Sequence, residues 1–131
     1  MADPGSAESI ARGLINAFCA VDTRRMRPLL ADELRAYITN RDGGVDEVSA
    51  DQYIQRLEAM DLPSADFQLT ITQSVSPRPD MAIVMVEISA ARGSRTLHNH
   101  AAHCLFTKDG RVVEWWMVEA LPAESDAFWS S

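Results

Sequence analysis

The feature that most constrains this chain is a dipeptide, Asp109-Gly110, set between two runs of strand-forming residues. Asp-Gly supplies the two left-handed backbone positions of a tight hairpin, so the flanking runs are expected to pair as antiparallel strands. Successive residues of a strand face opposite sides, and each strand is therefore two rows. Before the turn, His98, His100, Ala102, Cys104 and Phe106 form one row, and Leu97, Asn99, Ala101, His103 and Leu105 the other. After it, Val113, Trp115, Met117 and Glu119 alternate with Val112, Glu114, Trp116 and Val118. Three histidines within six positions are unusual for an ordinary sheet, so the row that lines the enclosed space is the place to look for function.

The rest of the chain supplies partners for that hairpin. Ser6 is an N-cap for a helix over 7–20, whose stripe is Ile10, Leu14, Ala17, Phe18 and Val21. Asp22 caps a second helix over 23–31, shortened or kinked by Pro28. Residues 33–39 alternate as a strand, closed by the turn-rich Asn40-Arg41-Asp42-Gly43-Gly44. Ser49 and Gln52 make a capping box for a third helix over 50–60, anchored by Ile54 and Leu57. From Asp66 the period changes to two: a strand that Pro77 and Pro79 terminate, a long strand over 81–91, then the hairpin. Residues 125–129 are read as a last helical turn carrying Phe128 and Trp129. Helices first and antiparallel strands after them imply an α+β fold with the helices on one sheet face. The 131 residues are expected to form a single domain, with 1–6 as a flexible N-terminus.

Composition narrows the partners. A formal net charge of −7 argues against nucleic acid and against anionic membrane surfaces, both of which call for basic stripes. No apolar run reaches transmembrane length, so a soluble, cytoplasmic protein is expected. Cys19 and Cys104 belong to no Cys-x-x-Cys pair, which argues against a zinc or redox motif and against a disulfide framework.

Four segments resemble the nuclear transport factor 2 / ketosteroid isomerase superfamily in its SnoaL-like branch. They are Leu29-Leu30-Ala31-Asp32-Glu33, the helix from Ser49, the turn Phe106-Thr107-Lys108-Asp109-Gly110-Arg111-Val112-Val113, and Val118-Glu119-Ala120-Leu121-Pro122. The resemblance extends over residues 10–129. It implies a cone-shaped fold, with three N-terminal helices on a strongly curved, mostly antiparallel sheet around a cavity. The superfamily hosts isomerases, cyclases, dehydratases, hydrolases and non-catalytic modules, so the fold alone names no reaction. The tyrosine and two carboxyl groups of ketosteroid isomerases fall near Leu14, near Ile38 and at Ala102, so that mechanism is not expected. The same alignment turns His98, His100, Ala102, Cys104, Trp115, Met117 and Glu119 toward the cavity, joined by Phe18, Ile38, Asn40 and Glu58.

On this reading His98, His100 and Glu119 are the catalytic acid–base groups of an isomerase or lyase acting on a small apolar or aromatic molecule. A neutral imidazole accepts a proton near neutral pH, and a carboxylate buried against Trp115 and Met117 has its own pKa raised. The same three side chains have the donor types of a metal site, but no motif supports one, and neither metal nor cofactor is assigned. The alternative is a non-catalytic ligand-binding or dimerisation module. A homodimer through the outer sheet face, with Trp116 and His103 in the interface, is expected on either reading.

Overall fold

The computed structural model describes residues 5–130. The frayed end expected over 1–6 lies outside them except for Gly5 and Ser6, and Ser6 caps the first helix. Helix α1 (Ala7–Cys19) begins where the Ser6 hydroxyl accepts from the Ser9 amide at 3.2 Å, and it buries Ile10, Leu14, Ala17 and Phe18. Helix α2 (Thr23–Met26) lasts one turn. Pro28 has no amide to continue it, so a 3-10 turn (Arg27–Leu29) leads into strand β1 (Leu30–Thr39), three residues earlier than the alternation predicts.

Asn40 closes the next turn by accepting the amides of Asp42 and Gly44 at 3.1 and 3.0 Å, with Gly43 at φ +83°. The chain then returns as β2 (Val45–Val48), a strand too short to carry a readable period. Helix α3 (Ala50–Met60) starts at the expected capping box, in which Ser49 and Gln52 satisfy one another's amides. Strands β3 (Gln68–Arg78), β4 (Met81–Arg92), β5 (Arg95–Lys108) and β6 (Arg111–Glu119) follow, and α4 (Pro122–Trp129) ends the described chain. Pro77 does not terminate β3 but lies inside it, which an edge strand permits because one side of its backbone has no partner.

The six strands form one sheet in the order β2-β1-β6-β5-β4-β3. The β1–β6 pair is parallel and the other pairs are antiparallel. The α+β class and the mostly antiparallel sheet agree with the sequence reading; the strongly curved cone does not. The sheet is open, with β2 and β3 as free edges, and it is neither closed nor strongly curled. Element order fixes which layers form, whereas curvature depends on twist and bulges, which the order does not encode. Helix α1 packs across β3 to β6, α3 on β1 and α4 on β5. Together they bury one sheet face around Leu14, Ile15, Leu34, Leu105 and Trp115. No helix among the described residues is long and apolar enough to cross a membrane.

The hairpin at Asp109-Gly110 decides which residues that face receives. Both turn residues are left-handed, at φ +53° and +79°, and Lys108 pairs with Arg111 and Thr107 with Val112. A regular ladder would continue with Phe106 opposite Val113 and Cys104 opposite Trp115. Instead Val113 is an extra residue, and Phe106 stands opposite Glu114. Leu105 therefore faces Trp115, His103 faces Met117, and Ala101 faces Glu119. A slip of one residue exchanges the two faces of a strand. This bulge sends Asn99, Ala101 and His103 inward and His98, His100, Ala102 and Cys104 outward.

Candidate active site

A cavity of about 640 Å³ opens between the inner sheet face and helices α1, α3 and α4. Its walls are mainly apolar, with Phe18, Ile38, Leu57, Phe67, Met117 and Trp129 among the lining residues. Apolar walls with a few placed polar groups are the usual form of a small-molecule site. Here the polar groups on the floor are Asn99 and His103 of β5, Glu119 of β6 and Tyr53 of α3.

Each is held by identifiable contacts. The Trp115 indole Nε1 donates to His103 Nδ1 at 2.9 Å. That bond makes Nδ1 an acceptor, so the neutral ring carries its proton on Nε2. Burial pushes the His103 pKa down to about 4, and the ring is neutral at physiological pH. Glu119 Oε1 accepts from the Ser125 hydroxyl at 2.9 Å. Loss of solvent raises its pKa despite that bond, and Asp126 adds to the rise. The Tyr53 ring lies 4.1 Å from that of Trp115, and its phenol pKa is driven up by burial and then by the nearby Glu119 charge.

Asn99 is 1% exposed. Its Oδ1 accepts from the amides of His100 and Leu121 at 2.9 and 3.0 Å, which fixes the orientation of the side-chain amide. The Nδ2 group is then left buried with no hydrogen-bond partner among the described residues. An unpaired buried donor costs about 1–3 kcal/mol, and in a native chain it calls for an explanation.

The mouth of the cavity is charged. Asp46 accepts from Arg56 Nη2 at 2.9 Å and from Asn40 Nδ2 at 3.3 Å, and these bonds, Arg56 first, hold its carboxyl below the usual range. Arg41 and Asp126 approach to 3.9 Å from two other lining segments.

Several expected site residues are here and several are not. Phe18, Ile38, Asn40, Met117 and Glu119 line the cavity. Trp115 is fully buried behind it as the support of His103 and Tyr53. His98 and His100 are exposed on the outer face beside Glu87, and Ala102 and Cys104 share that face. Glu58 is exposed on α3, where Thr23 donates to it at 3.5 Å. His103, expected on the outer face, is inside, while Trp116 is outside, stacked on Tyr37 at 4.2 Å. The facing assigned to the β5 histidines thus fails for one reason: the Val113 bulge has no signature in the sequence.

Two of the cavity's polar residues left a signal in the sequence. Asn is depleted from strand interiors, so a mid-strand Asn99 is conspicuous. Tyr53 shares helical spacing with Ala50 and Leu57, and these three are the buried residues of α3.

No family model and no curated protein matches the sequence. Solved structures do match the fold. Bal32a, from a soil-derived mobile gene cassette, superposes with a TM-score of 0.76 at 18% identity, over 95% of this chain and 96% of that one. A candidate SnoaL-like polyketide cyclase from Jannaschia sp. CCS1 gives 0.73 at 11% identity, over 100% and 98%. An LEH-like epoxide hydrolase of M. tuberculosis gives 0.71 at 14% identity, over 92% and 86%. At such identities the likeness is one of fold. The chain has the SnoaL-like, NTF2-like fold, and two of these three relatives in shape carry the names of small-molecule enzymes.

Proposed function

We propose that the cavity binds a small, largely apolar molecule bearing a carbonyl or hydroxyl oxygen, and that it moves a proton at a carbon beside that oxygen. The observation that carries this reading is Asn99 Nδ2, a fixed buried donor without a partner among the described residues, on a side chain that lines the cavity. A ligand oxygen is the partner it lacks. His103 Nε2–H is a second neutral donor on the same row, and both strengthen as negative charge grows on that oxygen. Glu119, opposite Ala101, stands between Asn99 and His103 along the floor. With its raised pKa it is the proton-transfer group, and the Tyr53 hydroxyl lies near enough to feel its charge. Isomerisation, cyclisation and dehydration all use these elements. Glu119 keeps the catalytic role assigned from the sequence, and His103 replaces His98 and His100.

The test is a panel of cyclic enones and polyphenols followed by NMR at the Asn99 side-chain amide and by ultraviolet absorbance for turnover. Ligands that shift the Asn99 amide and are turned over by wild type but not by Glu119→Gln are expected. Ligands that bind without moving that amide, or turnover that survives Glu119→Gln, would defeat the reading.

A further inference from the structure

We propose that Glu87, His98 and His100 form a site for a zinc-class divalent transition-metal ion on the outer face of the sheet. One ligand atom from each lies within 4.8 Å of the other two. Glu87 Oε2 is 2.6 Å from His98 Nε2 and 3.9 Å from His100 Nε2. An ion bonded tetrahedrally to N and O donors spaces them about 3.3–3.4 Å apart, between those two distances. Small side-chain rotations therefore bring the set onto one ion. The imidazoles already stand edge to face, with centroids 5.1 Å apart.

The backbone holds this arrangement. His98 and His100 are alternate residues of β5, and Glu87 of β4 is directly opposite His100. The β4–β5 ladder runs from Met81↔Phe106 to Arg92↔Arg95 without a register shift, so the three Cβ atoms are fixed relative to one another. Two imidazoles and one carboxylate select zinc and its neighbours over magnesium or calcium, which take oxygen ligands. Three protein ligands leave a fourth position for water, and the exposure of both histidines gives the ion an open approach. An ordinary surface ion pair needs only Glu87 and one histidine; the second ring on the same carboxylate oxygen is what the metal reading explains. The site is separated from the cavity by the sheet, so it stands or falls independently of the reaction proposed above.

Calorimetric titration of the chelator-stripped full chain with zinc chloride, with magnesium chloride in parallel, tests this. One zinc ion per chain at micromolar affinity is expected, with no saturable magnesium binding. Glu87→Gln and His100→Ala should each weaken zinc at least about tenfold while leaving the thermal midpoint in place, because these side chains are solvent-facing. Cys104→Ser, on the same face, should change nothing. Absent zinc binding, binding that survives both substitutions, binding lost in Cys104→Ser, or half an ion per chain with chain pairing would each overturn the site.

Discussion

The two faces of β5 put the same kind of side chain into two different solvents. His103 faces inward, is 2% exposed, and is held neutral by burial and by the Trp115 indole. His98 and His100 face outward into water, and their company is Glu87. Inside, an imidazole is fixed by its bond from the Trp115 indole among apolar walls; outside, it stands in water beside a carboxylate. The difference comes from one residue on the neighbouring strand rather than from β5 itself. Side-chain chemistry on a sheet is thus assigned by register before it is assigned by residue type.

The sharpest test of that comparison is to delete Val113. Without the extra residue a regular ladder from the Asp109-Gly110 turn sets Glu114 opposite Phe106 and Trp115 opposite Leu105, the same pairing that the bulge produces. Both faces of β5 and β6 are therefore expected to survive the deletion, with a native stability still within about 5–15 kcal/mol. Thermal melting followed by near-ultraviolet circular dichroism should show a cooperative transition with the tryptophan signal kept. Loss of that transition would mean that the bulge does not set the facing.

The two adjacent tryptophans give the largest contrast in stability. Trp115→Ala empties a fully buried site and removes the support of both His103 and Tyr53, at a cost of about 3–5 kcal/mol. Trp116→Ala loses a half-buried stack on Tyr37 and is expected to cost about 0.5–1.5 kcal/mol. Guanidinium unfolding of both variants measures the gap, and equal losses would erase the distinction between the faces.

The pH dependence sharpens the inner histidine. Its pKa is near 4 in the folded chain, against 6.5 for a histidine in open water, so the unfolded chain takes up a proton that the folded chain refuses. Stability is therefore full above 6.5 and falls as the pH drops toward 4, by on the order of 3 kcal/mol. His103→Gln keeps an acceptor for Trp115 and should flatten that part of the curve in urea titrations. A drop of unchanged size would assign it to another group.

The smallest expected effect has the opposite sign. Glu119 has its pKa raised above 4.5, so its contribution is full at lower pH and is lost as pH rises through the folded value. Glu119→Gln should gain a little thermal stability over wild type at neutral pH and none well below 4.5. A gain at acid pH instead would reverse the assignment of Glu119 as the desolvated carboxyl.

What was legible in the sequence was local chemistry. The Asp109-Gly110 turn, the Ser49 capping box and the stop at Pro28 each act through a residue's own backbone, and each is where its chemistry puts it. Glu119 was legible as a cavity residue because β6 was read in the right phase. The phase of β5 was not, since it depends on how two strands count against each other across Val113. β2 escaped because four residues cannot show a period. The openness of the sheet escaped because no single residue determines it.

That openness leaves two margins, and both are poor templates for foreign strands. β2 is four residues long and carries Asp46 and Glu47, so an incoming backbone meets little length and much negative charge. β3 has Pro77 in place of an amide donor, and its ladder is broken near Ile71/Gln73 and again near Val75/Arg78. Interruptions of these kinds are how natural sheets resist growing into fibres. Replacing Pro77 or evening out β3 would give crowded chains a straight edge to add to, and the first symptom would be insolubility rather than a change in the cavity.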